Sequence, residues 1–234
     1  MIKNKNIFIT GNSSGLGLSL TNKLVSDNKI FSVSRSKIIT LHKNIKHYIV
    51  NFEDLKKLEK TLRNFNFLKT IDYLILNAGV LGSIKFANNI NINELIAGFK
   101  INVLSNKIII DYFLNKKTKI KNIIAISSGA ALSAKDGWLN YCGSKSYLKM
   151  LIETYSIENP KINMINLSPG LIKTKMQKQI FETKNKKIIS IVKFKSLYKN
   201  NLIKKPGEIA DNVINFLENI SKFKKVKYID LRKI

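Results

Sequence analysis

Apolar positions along this chain recur in two alternating periods. "NIFIT", Asn6 to Thr10, is a short apolar run of strand length. A glycine turn follows, and "LGLSLTNKLVSDN" then puts Leu16, Leu20, Leu24 and Val25 on one helical face. "IFSVS", Ile30 to Ser34, and "HYIVN", His47 to Asn51, read as the next two strands. "DLKKLEKTLRNF" spaces Leu55, Leu58, Leu62 and Phe65 as a helix, and "IDYLILNAG" is a fourth strand ending in a glycine turn.

The rhythm continues into the second half. "INELIAGFKINVLSNKIIIDYFL" predicts one long helical region, "KNIIAISS" a fifth strand, "YCGSKSYLKMLIETYSI" a helix and "INMINLSPG" a sixth strand. "PGEIADNVINFLENI" carries Ile209, Val213, Ile214 and Leu217 on one stripe, and "KVKYIDL" is the seventh strand. Strands that alternate with helices and are apolar on both faces predict a parallel sheet covered on both sides. The fold class is therefore α/β, a Rossmann-like three-layer sandwich of about seven strands. No polar linker divides the chain, so residues 1–234 are expected to form one domain. Residues 173–204 are very basic with scattered apolar positions. They read either as a flap over a pocket or as irregular surface helices.

Composition narrows the function classes. The apolar runs are too short to span a membrane, so no insertion is expected. "MIKNKNIF" lacks the apolar stretch of a secretory leader, and Cys142 is the only cysteine. A reducing, cytoplasmic setting and no disulfide or structural zinc follow as expectations. The net charge is +26, from 41 Lys+Arg against 15 Asp+Glu. That excess attracts polyanions, but the lysines are spread along the whole chain, so a solvated basic surface is expected rather than a specific nucleic-acid site.

"ITGNSSGLG", Ile9 to Gly17, packs three glycines into nine residues between the first strand and the first helix. Glycine there permits close approach of a ligand, and free amides at a helix start favour a phosphate. The spacing Gly11, Gly15, Gly17 is not the GxGxxG fingerprint. Thr10 to Gly17 resembles instead the TGxxxGxG cofactor loop of the short-chain dehydrogenase/reductase family. "LNAG", Leu76 to Gly79, matches that family's NNAG turn with Leu76 in place of the first Asn. Asn102 in "GFKINV", Ser128 in "ISSGAA", Tyr141 and Lys145 in "YCGSK", and Pro169, Gly170 and Thr174 in a PGxxxT arrangement follow in the family's order. The ordered set covers nearly the whole chain.

Tyr141 and Lys145 stand four apart, one turn of a helix, on one face. An ammonium beside a phenol lowers its pKa, so the pair can exchange a proton with an alcohol or carbonyl oxygen. Ser128 can hydrogen-bond the same oxygen. The resemblance implies catalytic roles for Asn102, Ser128, Tyr141 and Lys145, with the Asn102 main chain supporting a proton-relay water and Lys145 holding the nicotinamide ribose. It further implies cofactor contacts from Gly11, Asn12, Ser13, Ser14, Gly15, Leu16 and Gly17. Asn77, Ala78 and Gly79 would pass the adenosine ribose, and Pro169, Gly170, Ile172 and Thr174 would lie by the nicotinamide.

An NAD site commonly carries an acidic residue after the second strand. Here "FSVSRSK" offers Ser34, Arg35, Ser36 and Lys37 instead. Arg35 can pair with a 2′-phosphate in a fork, so NADP(H) is favoured over NAD(H). Otherwise Arg35 stacks on adenine or points outward. Asn51 stands where the family usually has an Asp beside the adenine; its carbonyl can still accept.

The resemblance leans toward small NADPH-dependent carbonyl reductases, of sepiapterin- and benzil-reductase type. It implies reduction of a carbonyl to an alcohol with tyrosine as general acid. An acyl-carrier ketoreductase and a catalytically silent nucleotide-binding protein stand as alternatives. Trp138, Leu139, Val80, Leu81, the stretch 130–132 and the region 176–202 are the substrate-pocket candidates. A homodimer or homotetramer through the helices around 93–114 and 141–156 is also implied by the resemblance.

Overall fold

The computed structural model describes residues 2–200, 202–223 and 227–234. Lys225 and Val226, where the expected seventh strand begins, lie outside them, as do Met1, Asn201 and Lys224. Seven parallel strands form one sheet in the order β3-β2-β1-β4-β5-β6-β7. They are β1 (Asn6–Thr10), β2 (Lys29–Ser34), β3 (Ile45–Ile49), β4 (Thr70–Leu76), β5 (Lys119–Ile126), β6 (Asn163–Ser168) and β7 (Tyr228–Asp230). The third strand runs two residues earlier than "HYIVN" suggests: its sheet contacts are made by Ile45 to Ile49, paired with Ile30 to Ser34 of β2.

Alternation along each strand builds two apolar layers. Phe8 of β1 faces one, with Leu58 and Leu62 of α2 (Leu55–Leu62), Ile109 and Phe113 of α4 (Ser105–Asn115), and Leu148 and Ile152 of α5 (Leu139–Glu158). Ile7 and Ile9 face the other, with Leu20 and Leu24 of α1 (Gly15–Leu24) and Val213 and Leu217 of α8 (Pro206–Glu218). Phe8 packs edge-on against both Phe65 and Phe113, with centroids 5.0 Å away in each pair. Burial of both strand faces is the source of the near-continuous apolar runs in the sequence. Among the described residues no helix is long and apolar enough to cross a membrane.

The long helical region expected over residues 92–114 is not one uniform helix. α3 (Ile92–Phe99) passes through a π-helical segment, Lys100–Leu104, before α4 begins. The basic region contributes two helices, α6 (Lys175–Glu182) and α7 (Ile189–Lys199), which lie over a cavity at the sheet's carboxyl edge.

Candidate active site

Strand order reverses between β1 and β4, and beyond their carboxyl ends lies a cavity of about 480 Å³. Its inner wall is the glycine turn, with Gly11, Ser13, Ser14, Gly15 and Leu16 facing the space. Gly11 has φ 69°, and a Cβ there would stand 2.8 Å from the Ala78 Cα. Only glycine lets these two turns meet so closely. Asn77 stitches them together: its Nδ2 donates to the carbonyls of Thr10 and Gly11 at 3.0 and 3.1 Å. Thr10 Oγ1 in turn accepts from the amides of Asn77 and Ala78.

The first turn of α1 contains no acidic residue, and Ser14 caps none of its amides with its side chain. Those amides lack intrahelical partners and sit at the positive end of the helix dipole. The turn is thus chemically suited to a pyrophosphate. Asn77, Ala78 and Gly79 line the adjoining wall, Arg35, Ser36 and Asn51 the outer end, and Pro169, Gly170, Ile172 and Thr174 the opposite side.

Four residues singled out in the sequence stand behind this wall instead of lining it. Asn12 is fully buried and its Nδ2 donates to Thr21 Oγ1 at 3.3 Å. Gly17 is a packing glycine, since a Cβ would lie 2.6 Å from both Asn77 Nδ2 and the Gly11 carbonyl oxygen. Ser34 Oγ donates to the Ser36 carbonyl at 2.6 Å and braces the turn that carries Arg35. Asn102 lies in the π-helical segment, 1% exposed. Its Oδ1 accepts from the Val80 amide at 2.8 Å, and its Nδ2 donates to the Val80 carbonyl at 2.9 Å and to Ser144 Oγ at 2.8 Å. Its own carbonyl accepts from Asn106 Nδ2 at 2.9 Å.

Ser128, Tyr141 and Lys145 all face the cavity. Ser128 follows β5, and its Oγ accepts from the Ala130 amide at 3.2 Å while hydrogen-bonding the Tyr141 side chain. Tyr141 lies in the first turns of α5 and is buried. Burial pushes its hydroxyl up to about 12, against a smaller downward pull from Ser128. Lys145, one turn on, is also buried and donates from Nζ to the Ile126 carbonyl at 2.7 Å. Burial pulls it down to about 8. The expected lowering of the phenol by the ammonium is therefore overturned in this arrangement: loss of water dominates, raising Tyr141 and lowering Lys145, which at about 8 still carries its proton at neutral pH.

Beyond the Ser–Tyr–Lys group the lining is largely apolar, with Lys175, Gln177 and Gln179 of the α6 segment as its polar members. Val80, Leu81 and Trp138 line it as the sequence suggested, whereas Leu139 is 44% exposed and residues 130–132 face elsewhere. Met176 and Ile180 from α6 and Phe194 from α7 complete the wall. Sequence reasoning missed Phe52, Ile101, Ile126, Ser127 and Leu171, which also line the space. Their one shared signal is position: each stands next to, or within two residues of, a singled-out residue. The Ser127 hydroxyl is buried with no hydrogen-bond partner among the described residues.

A doubly wound parallel sheet with a phosphate-suited glycine turn at its reversal defines a dinucleotide-dependent enzyme. The chain belongs to the short-chain dehydrogenase family, whose model, described as "short chain dehydrogenase", matches residues 5–185. It is an NAD(P)-dependent oxidoreductase acting on the CH–OH/C=O pair. It is 29% identical over 225 residues to a benzil reductase ((S)-benzoin forming) of Bacillus subtilis, covering 90% of this chain and 92% of that one. An uncharacterized oxidoreductase of Schizosaccharomyces pombe is 31% identical over 226 residues, covering 91% and 90%. A crystal structure of a Saccharomyces cerevisiae short chain dehydrogenase/reductase superposes with TM-score 0.86 at 23% identity, over 97% of this chain and 96% of that one.

Proposed function

We propose that this protein is an NADPH-preferring carbonyl reductase that donates the alcohol proton from Tyr141. One observation carries the reading. The Tyr141 hydroxyl is buried, bonded to Ser128 and held protonated, in the same cavity as a glycine turn suited to a pyrophosphate. A phenol held in its acid form is equipped to protonate an alkoxide. Ser128 orients the carbonyl oxygen toward it. Lys145 lines the cavity, where it holds ribose hydroxyls and adds positive charge while oxygen becomes anionic. Asn102 fixes the Val80 turn to α5, and its main chain supports a relay water.

When bound, the nicotinamide supplies the hydride. Gly11, Ser13 to Leu16 and the α1 amides hold the pyrophosphate, Asn77 to Gly79 the adenosine ribose, and Pro169, Gly170, Ile172 and Thr174 the nicotinamide end. Arg35 and Ser36 take the 2′-phosphate, a site with no carboxylate to repel it; Asn51 borders the adenine. Asn12, Gly17 and Ser34 support that cradle from behind.

The compartment of Leu81, Trp138, Met176, Ile180 and Phe194 suits an apolar, aryl-bearing carbonyl compound, in keeping with the benzil reductase named above. Exposed Ile96, Tyr147 and Met150 on α3 and α5 support a homo-oligomer. A cytoplasmic setting accords with the free thiol of Cys142. The test is a titration with NADPH and NADH at one salt concentration, then a carbonyl screen with the tighter cofactor. Tight NADPH and weak NADH binding with ketone turnover is the expected result. Equal affinities remove the cofactor preference, and no turnover of any carbonyl removes the reductase reading.

A further inference from the structure

Helix α7, which brings Phe194 to the cavity, has no cap of its own. Ile188 precedes it and offers no side-chain acceptor. The cap comes instead from Asp136, on the turn just before the catalytic helix α5. Its Oδ2 accepts from the Ile189 amide at 2.6 Å and its Oδ1 from the Ser190 amide at 2.9 Å, with the Ser190 hydroxyl also donating to Oδ1. A carboxylate at this position satisfies orphan amides and complements the helix dipole. These contacts hold the Asp136 carboxyl below its usual range.

The surrounding packing converges on the same junction. Ile188 is fully buried, and Gly137, with φ 77°, makes room for it: a Cβ there would lie 2.8 Å from Ile188 Cγ2. Next in the chain, Trp138 packs on Phe194 with centroids 4.6 Å apart, and against Tyr141 at 6.1 Å. α6 is tied separately, Gln179 Nε2 donating to the Gly82 carbonyl at 2.8 Å. Beyond this cap α7 is held by the buried Ile191 and by α6, with Phe181 against Tyr198 at 5.0 Å and Lys195 Nζ donating to the Thr183 carbonyl at 2.7 Å, while Ile189 and Val192 are mostly exposed.

We propose that Asp136 is a positioning residue of the substrate compartment: by capping α7 across the chain it holds Phe194 on Trp138 and closes the apolar wall beside Tyr141. Substrate recognition then depends on a surface carboxylate that touches neither substrate nor cofactor. The proposal rests on the carbonyl-reductase reading only for its kinetic arm.

Trp138 is the only tryptophan in the chain, so intrinsic emission reports this junction directly. Asp136→Ala is expected to red-shift the emission and to raise acrylamide quenching about twofold, while KM for an aryl ketone rises about tenfold, the scale of a lost helix cap. kcat and the NADPH dissociation constant should stay within about twofold, since no cap reaches them. Asp136→Asn, which keeps an acceptor, should fall between, and Ser190→Ala should show a smaller change in a variant with the carboxylate intact. Unchanged quenching in Asp136→Ala overturns the proposal. So does altered quenching with unchanged KM, or a parallel loss of NADPH binding, which marks general damage. If no ketone is turned over, the quenching series in the three variants still decides whether Asp136 holds the junction, separately from the reductase reading.

Discussion

The Lys145 ammonium lies 5.8 Å from the centre of the Tyr141 ring, and its proton is directed to the carbonyl of Ile126. One helical turn separates the two residues, yet the lysine is anchored to β5 and not to the phenol oxygen. The tyrosine keeps its proton because it is buried; the lysine is inclined to lose one for the same reason.

Tyr141→Phe removes the proton donor while leaving the ring against Trp138. Turnover of a ketone should fall about 10²- to 10⁴-fold, the range for loss of a positioned acid. NADPH binding, followed by fluorescence, should be retained.

Lys145 yields a pH signature in stability. Its folded value of about 8 lies below the unfolded 10.5, so between these the unfolded chain binds more protons. Stability attributable to Lys145 therefore rises with pH across that window. Urea unfolding at pH 7 and pH 10 should show wild type gaining on Lys145→Met at the higher pH. Tyr141 acts with the opposite sign: raised to about 12, it costs stability above pH 10, as the unfolded phenol ionises first.

Arg35 stands at the exposed outer end of the cavity, beside Ser36 and Asn51. Arg35→Ala should weaken NADPH about tenfold, as expected for one charge-assisted contact at an exposed site, and leave NADH nearly unchanged. Parallel titrations of the two cofactors check this; equal losses would place Arg35 on the adenine instead.

Gly11→Ala meets two obstacles: a positive φ and a Cβ 2.8 Å from the Ala78 backbone. A loss of about 1–3 kcal/mol is expected in denaturant unfolding, with dinucleotide binding lost as the two turns separate. Gly143→Ala is the control, because a Cβ there meets nothing within 4 Å.

Met150 is 60% exposed on α5, near Tyr147 at 52%. If this face joins copies of the chain, Met150→Asp should convert an oligomer to monomer in sedimentation analysis. An unchanged mass places the interface elsewhere.

Much of this architecture can be read from residue order. Strands buried on both faces must be apolar at nearly every position, so "YLIL" and "IIAI" announce a covered parallel sheet without help from distant residues. Glycine at Gly11 and the four-residue step from Tyr141 to Lys145 are likewise local, since turn torsions and helix pitch act over a few residues. Direction is another matter. Asn12 and Ser34 are polar residues in the right loops, but their hydrogen bonds turn them inward to Thr21 and Ser36. The π-helical segment around Asn102 leaves the apolar spacing helical and so is silent in the sequence. Asp136 and α7 meet across more than fifty residues, and nothing local marks the carboxylate as that helix's cap. Periodicity reports that a side chain is buried or exposed; which partner it finds depends on chain segments brought together only when the sheet is complete.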